Sequence, residues 1–181
     1  GKTIRFSDPS KFGTGTDWQD VVFGTSEKSS HEISISGGND KSTYYASFGY
    51  LDQTGIVMSD ISYYKRLNTR LNSTHKVTDW LTLGQTLAYT HSKSQGISNN
   101  EEYGGPLSSA VNLDPITPVT VTDWSMVNPD LYTNSHIVLD PNGNPYGISQ
   151  YVNQEMANPM AFKYIQQGNY GWSDDFVGNV F

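Results

Sequence analysis

Long stretches in which apolar and polar residues alternate with a period of two dominate the first half of the chain. Residues 30–36 and 42–51 both follow this pattern, and a Gly-Gly-Asn-Asp turn signal stands between them. Because successive side chains of a strand point to opposite faces, the two stretches predict an antiparallel hairpin. Similar runs over about residues 62–76 and 80–92, and a last run from Asp174, predict further strands.

Strand length and the polarity of one face decide which β fold is expected. The predicted strands exceed the roughly 5–6 residues usual in globular sheets and reach the roughly 9–11 residues that cross a bilayer. One face of the third strand carries only large polar side chains in its middle: Arg66, Asn68, Arg70 and Asn72. A water-filled lumen accommodates them, and a packed soluble core does not. We therefore predict an all-β fold, a fragment of a large antiparallel transmembrane β-barrel, with these four residues facing the lumen.

The chain divides into four predicted segments. They are a lead-in over residues 1–27, four antiparallel barrel strands over 28–93, a long, partly helical extracellular loop over 94–172, and the start of the returning strand over 173–181. Short turns alternate with long connections, as in barrels whose periplasmic turns are short and whose extracellular loops are long. Because the last residue falls inside an alternating run, we expect the chain to be a piece of a longer protein.

Charge and composition narrow the classes of function. The net charge of −7 disfavours nucleic acid as a partner, and the absence of cysteine excludes disulfides and thiolate chemistry. The four histidines have no ligand spacing, and no serine stands in a nucleophile elbow. We therefore expect no enzyme and no cofactor.

One acidic stretch of the long loop is similar to a calcium-binding loop. Asp140, Asn142 and Asn144 match the first three ligand positions of an EF-hand. Pro145 stands where that loop requires glycine, so the stretch is expected to form a turn and to bind no metal.

Specific runs of residues point to a known family. Residues 34–57, SISGGNDKSTYYASFGYLDQTGIV, resemble the most recognisable barrel hairpin of the SusC/RagA family of TonB-linked transporters. The resemblance continues in TDWQD at residues 16–20 with Phe23, in KR and RLN at 65–72, in WLTLG at 80–84, in DPITPV at 114–119, in GNPY at 143–146, in NP at 158–159 and in DFVGN at 175–179.

The resemblance implies a function and a set of partners. It implies a plugged barrel of the bacterial outer membrane, in contact with membrane lipid, that imports oligosaccharides or peptides. A SusD-like surface lipoprotein would cover the barrel as a lid, and the TonB complex would pull on the plug through segments absent here. The four lumen-facing residues of the third strand would then pair with plug carboxylates or stay hydrated, and plug contact is our preferred hypothesis. The alternative is a soluble β-rich carbohydrate-binding module, which would bury its apolar face against a second sheet.

Aromatic residues of the long loop are the candidates for ligand contact. They are Trp124, Tyr132, Tyr146, Tyr151 and Trp172. Internal packing of an ordered loop explains most of them. Because aromatic faces offer large, rigid contact area, we expect one or two of the five to contact the ligand or the lid.

Overall fold

The computed structural model describes residues 10, 13–97, 104–133, 136–152 and 156–181, which form two compact units. The sheet unit comprises residues 25–96 and 168–181. The loop unit comprises the described residues up to Gly24 and those within 97–167. The predicted lead-in therefore divides between the two units.

The sheet unit is a five-stranded antiparallel meander in which each strand pairs with its neighbours in sequence. The strands are β1 (Lys28–Asn39), β2 (Ser42–Thr54), β3 (Tyr63–Lys76), β4 (Thr82–Gln95) and β5 (Gly171–Val180). They are 10 to 14 residues long, enough to cross a bilayer when tilted. The prediction of long antiparallel meander hairpins is confirmed.

Short and long connections leave the sheet at opposite ends. At one end, the Asn39 side chain accepts hydrogen bonds from the backbone N–H groups of Lys41 and Ser42 and closes the β1–β2 turn. The β3–β4 turn at the same end is closed by the N–H of Val77, which donates to the Leu81 carbonyl. The β2–β3 loop over residues 55–62 and the long connection from β4 to β5 leave the other end.

The pairing register separates a polar from an apolar face. Arg70 of β3 lies opposite Ser47 of β2 and Ala88 of β4, so polar and small side chains share one face. The neighbouring positions form rows on the other face. One such row is Ile33, Phe48, Thr69, Tyr89 and Phe176.

The apolar face is open. Ile33 is 70% exposed, Phe48 44% and Phe176 69%. A soluble sandwich would bury these side chains against a second layer, and an exposed apolar surface of this extent marks a protein or membrane contact. The observation disfavours the soluble carbohydrate-binding module.

Two glycines leave room for aromatic rings. Tyr44 lies opposite Gly37 in the β1–β2 pair, and a Cβ atom at Gly37 would overlap the Tyr44 hydroxyl. In the same way a Cβ atom at Gly84 would overlap the ring of Phe181. The rings replace the packing surface that glycine lacks, which strengthens both strand pairs.

The loop unit contains short helices held by caps. They are α1 (Trp18–Val22), α2 (Pro106–Asn112) and α3 (Pro159–Gln166), with 3-10 helices at Trp124–Met126 and Pro129–Tyr132. The Asp17 side chain caps α1 by accepting from the N–H groups of Gln19 and Asp20. Buried Trp18 donates from its indole N–H to the Asp114 carbonyl at 2.9 Å. In the described part of the chain, no helix is long and apolar enough to cross a membrane.

Candidate functional site

The polar face of β3 presents the four predicted lumen residues in one line. Arg66, Asn68, Arg70 and Asn72 are alternate residues of one strand, so their side chains leave the same face. Gly49 lies opposite Asn68 on β2, and small residues lie opposite Arg70 on both sides. The long polar side chains of β3 therefore extend beyond the small side chains beside them on β2 and β4.

This line of residues is incompletely hydrogen-bonded. The Arg66 Nε and the Asn72 Oδ1 are shielded from solvent and have no hydrogen-bond partner among the described residues. No carboxylate within the described ranges forms an ion pair with Arg66 or Arg70. Because shielded polar atoms without partners are costly, this face requires water or a further polar surface against it.

A pocket of about 290 Å³ lies on the same face. Glu32 of β1, Tyr45 of β2, and Asn68 and Arg70 of β3 contribute to its wall. Thr90 of β4 donates its hydroxyl to the Asn68 side-chain oxygen at 3.3 Å. The wall thus offers a carboxylate, a guanidinium and an amide, which suit hydrogen bonding to a polar ligand or protein segment.

Two of the five candidate aromatics form a pair in the loop unit. The rings of Trp124 and Tyr132 meet edge to face, with centroids 5.3 Å apart. The Tyr132 hydroxyl oxygen accepts the Ile148 backbone N–H at 2.8 Å, and burial raises the pKa of Tyr132. Trp124 remains 48% exposed. Trp124 therefore presents an exposed indole that packs against a tyrosine fixed by a hydrogen bond. Such an arrangement is a preorganised contact surface.

The other three candidates make different contacts, and Trp172 belongs to the sheet unit. Tyr146 is buried and packs near Tyr164, with ring centroids 6.3 Å apart, as expected for internal packing. The Tyr151 hydroxyl accepts a hydrogen bond from the Gln150 side chain. Trp172 lies in β5, which begins two residues before the predicted boundary, and it is on the apolar face opposite Lys93.

Two polar residues order the loop unit, and neither was among the predicted site residues, although the sequence Asn158-Pro159 indicates a helix N-cap. The Asp114 carboxylate accepts from the N–H groups of Ile116 and Thr117 and from the hydroxyl of Ser149. Buried Asn158 caps α3 by accepting from Met160 N–H. Both residues stand in runs that carry the family resemblance, which was the available signal.

The Asp140 stretch forms a turn. One Asp140 carboxylate oxygen accepts from the backbone N–H groups of Asn144 at 2.8 Å and Asn142 at 2.9 Å. These bonds, the one from Asn144 first, lower the pKa of Asp140. Among the described residues, no three His, Asp or Glu side chains come together as a metal site requires.

Comparison with known proteins finds similarity to segments of TonB-dependent receptors. No protein-family model matches it. The chain is 29% identical to the TonB-dependent receptor SusC of Bacteroides thetaiotaomicron over 178 residues, which is 95% of this chain. A solved structure of the RagAB peptide importer in its closed-closed state covers 81% of this chain with a TM-score of 0.53 and 26% identity. These similarities support a SusC/RagA-type fragment.

The chain matches only part of each relative. It spans 17% of the SusC sequence and 15% of the RagAB chain. The TonB-dependent receptor P3 of Formosa agariphila is 29% identical over 139 residues, or 74% of this chain and 13% of that receptor. These relatives are named as receptors and an importer, and none is named as an enzyme. The predicted fold class, an all-β barrel fragment, is confirmed.

Proposed function

We propose that this segment is part of the wall of a TonB-dependent receptor that imports oligosaccharides or peptides across the bacterial outer membrane. The main support for this proposal is the two-faced sheet. One face is exposed and apolar, and the other is lined by Arg66, Asn68, Arg70 and Asn72. In a transmembrane barrel the first face meets lipid and the second lines the interior. The similarity to SusC and to the RagAB importer supports the same assignment.

The proposal extends to partners that lie outside this chain. We expect a SusD-like surface lipoprotein as a lid, a plug inside the barrel, and a TonB complex that acts through the plug. The long connections of transmembrane barrels are their extracellular loops, so we assign the long β4–β5 connection to the extracellular side. The loop unit is therefore our candidate for contact with the lid or the cargo.

The plug is the proposed partner of the polar face. Arg66 and Arg70 have no carboxylate partner within the described residues, and the Arg66 Nε is shielded and unpaired. Plug carboxylates would supply the missing acceptors, and charge-assisted bonds to arginine are among the stronger hydrogen bonds.

Charge reversal at the polar face should loosen the plug. In the intact receptor, Arg66→Glu or Arg70→Glu should raise hydrogen exchange in the plug by roughly 10- to 150-fold, since losing one charged hydrogen bond costs about 1.5–3 kcal/mol. Hydrogen-exchange mass spectrometry of the purified receptor measures this. Lys41→Glu in the exposed β1–β2 turn makes the same charge change away from that face and should leave the plug unaffected. Unaltered plug protection and import in both arginine variants would refute plug contact.

Trp124 is the proposed contact residue of the loop unit. Trp124→Ala should weaken cargo binding by roughly 2- to 10-fold, since an aromatic contact is worth about 0.5–1.5 kcal/mol. Calorimetry of the receptor–lipoprotein complex against a panel of oligosaccharides and peptides measures this and separates the two cargo classes. Trp80→Ala is the matched control, because Trp80 is 83% exposed at the β3–β4 turn. Equal effects of the two substitutions would remove Trp124 from the site.

A further inference from the structure

A small pocket of about 190 Å³ lies within the loop unit. An apolar cavity of about 150 Å³ holds a molecule of the size of benzene, so this pocket has room for one aliphatic or phenyl group. Apolar side chains form most of its wall, among them Ile137, Val138, Tyr146, Ile148, Met156 and Ala161. The lining therefore favours a ligand group that is small and apolar.

Hydrogen bonds within the loop unit already use several backbone polar groups of this wall. The Tyr146 N–H donates to the Val138 carbonyl at 3.2 Å. The Gly147 N–H donates to the Val119 carbonyl at 3.0 Å. Because these groups have partners within the unit, they offer little to the hydroxyl groups of a bound sugar.

The Asn158 side chain in the same wall is buried and hydrogen-bonded at both ends. Its amide nitrogen donates to the carbonyls of Val119 and Gly147, both at 3.0 Å. Its oxygen accepts the Met160 N–H at 2.9 Å. Since a side-chain amide has two donors and both are used, Asn158 shapes the pocket without donating to a ligand.

The pocket adjoins the aromatic pair of Trp124 and Tyr132. Ile148 lines the pocket, and its backbone N–H donates to the Tyr132 hydroxyl oxygen at 2.8 Å. The Tyr132 ring in turn meets the exposed indole of Trp124 edge to face. Through Tyr132, the pocket and the exposed indole belong to one connected contact surface.

We propose that this pocket binds an aliphatic or phenyl side chain of a peptide, and that peptides are the cargo of the receptor. A leucine side chain buries only hydrocarbon there, and the peptide backbone stays outside, beside Trp124. A sugar ring carries several hydroxyl groups, and burying them without partners is costly. The inference rests on the proposed function, in which the loop unit meets the cargo, and it selects one of the two cargo classes.

Peptide retention by the intact receptor with its lipoprotein tests this pocket. Two pools of short peptides with mixed polar residues carry either leucine or asparagine at one fixed position, because these two side chains are close in size and shape. Equilibrium dialysis with mass spectrometry measures how much of each pool is retained, beside a set of neutral oligosaccharides. We expect the leucine pool to bind roughly 10- to 150-fold more tightly, as full burial of one leucine side chain predicts.

Two substitutions that fill the pocket should abolish this preference. Ala161→Leu extends from α3 into the pocket, and Ala157→Leu does so from an exposed position of the wall that tolerates a larger side chain more easily. Val111→Leu on α2, at a position that is 69% exposed, adds hydrocarbon outside the pocket and should keep the preference. Hydrogen exchange of residues 143–150 shows whether the loop unit of each variant is folded.

The outcomes separate this pocket from the proposed function. Equal retention of the two pools, or an unchanged preference in both filled variants, would overturn the pocket even in a receptor that binds and imports. Stronger retention of oligosaccharides than of either pool would reject peptides as the cargo. If the filled variants lose the lipoprotein in the absence of cargo, the pocket holds the lid and the inference is wrong. A receptor that retains neither cargo class would instead reject the proposed function.

Discussion

Replacing Leu87 with arginine should prevent most of the receptor that carries this segment from assembling in a membrane. Leu87 lies in the middle of β4 on the apolar face, between Leu71 of β3 and Gly178 of β5. An arginine facing lipid near the bilayer midplane costs about 2–4 kcal/mol in transmembrane barrels, or roughly 30-fold to several hundred-fold in the folding equilibrium. Denaturant titration of the receptor in lipid vesicles measures this loss.

Thr86→Arg is the matched control, because the neighbouring residue faces the other side. Thr86 lies opposite Asn72 and Asn179 on the polar face. The same new charge there should change stability little, since an aqueous interior solvates it. Leu87→Ala separates the effect of the charge from the loss of the leucine side chain. A larger loss for Thr86→Arg than for Leu87→Arg would mean that the polar face meets the lipid.

The strands of the sheet could be predicted because the sequence pattern that identifies each strand is local. The alternation that marks a strand repeats every two residues, so a short window of sequence identifies the strand and its two faces. The Gly-Gly-Asn-Asp signal also places the β1–β2 turn, where Asn39 pairs with Ser42. Arg66, Asn68, Arg70 and Asn72 could be assigned to one face because they belong to one strand.

The pocket on the polar face was not predictable in the same way. It joins Glu32 and Tyr45 to Arg70, which lie on three strands. Only the register brings them together, and the register of β2 with β3 depends on the conformation of the eight residues between them at 55–62. Since that loop has no simple turn signature, alternation alone does not align the two strands.

The loop unit depends on contacts between distant parts of the chain. Thr16 donates its hydroxyl to the Thr117 carbonyl 101 residues away, and Ser149 donates to Asp114 across 35 residues. No periodic pattern reports such contacts. Helix α1 was missed for a related reason, because its five residues are too few for a period of 3.6 to emerge. Its Asp17 cap was the available local signal.

Asn158 joins two other segments of the loop unit by hydrogen bonds. Its replacement should therefore strongly lower the stability of this unit. Its side-chain amide nitrogen donates to the carbonyls of Val119 and Gly147, both at 3.0 Å, while its oxygen caps α3. Asn158→Asp keeps the cap but turns both donated bonds into contacts between oxygens. The Val119 carbonyl keeps the Gly147 N–H as a donor, but the Gly147 carbonyl loses its donor, so we expect a loss of roughly 1–3 kcal/mol in the stability of this unit. Hydrogen exchange of residues 115–123 and 143–150 in the intact receptor measures it.

Asn128→Asp is the matched control for Asn158→Asp, and the pH dependence of protection is a second test. Asn128 also caps a helix, by accepting from Asp130 N–H, but it is exposed, so the same substitution there should have little effect.

At position 158 the new carboxyl is buried beside two carbonyl oxygens, which raises its pKa in the folded state. A group with a raised folded pKa stabilises below its unfolded pKa of about 3.9 and loses that stabilisation as pH rises. Protection in Asn158→Asp should therefore recover on acidification toward about pH 4 relative to Asn158→Ala, which has no group to titrate. Equal protection of the Asp and Ala variants at every pH would show that the amide donors of Asn158 do not hold the loop unit together.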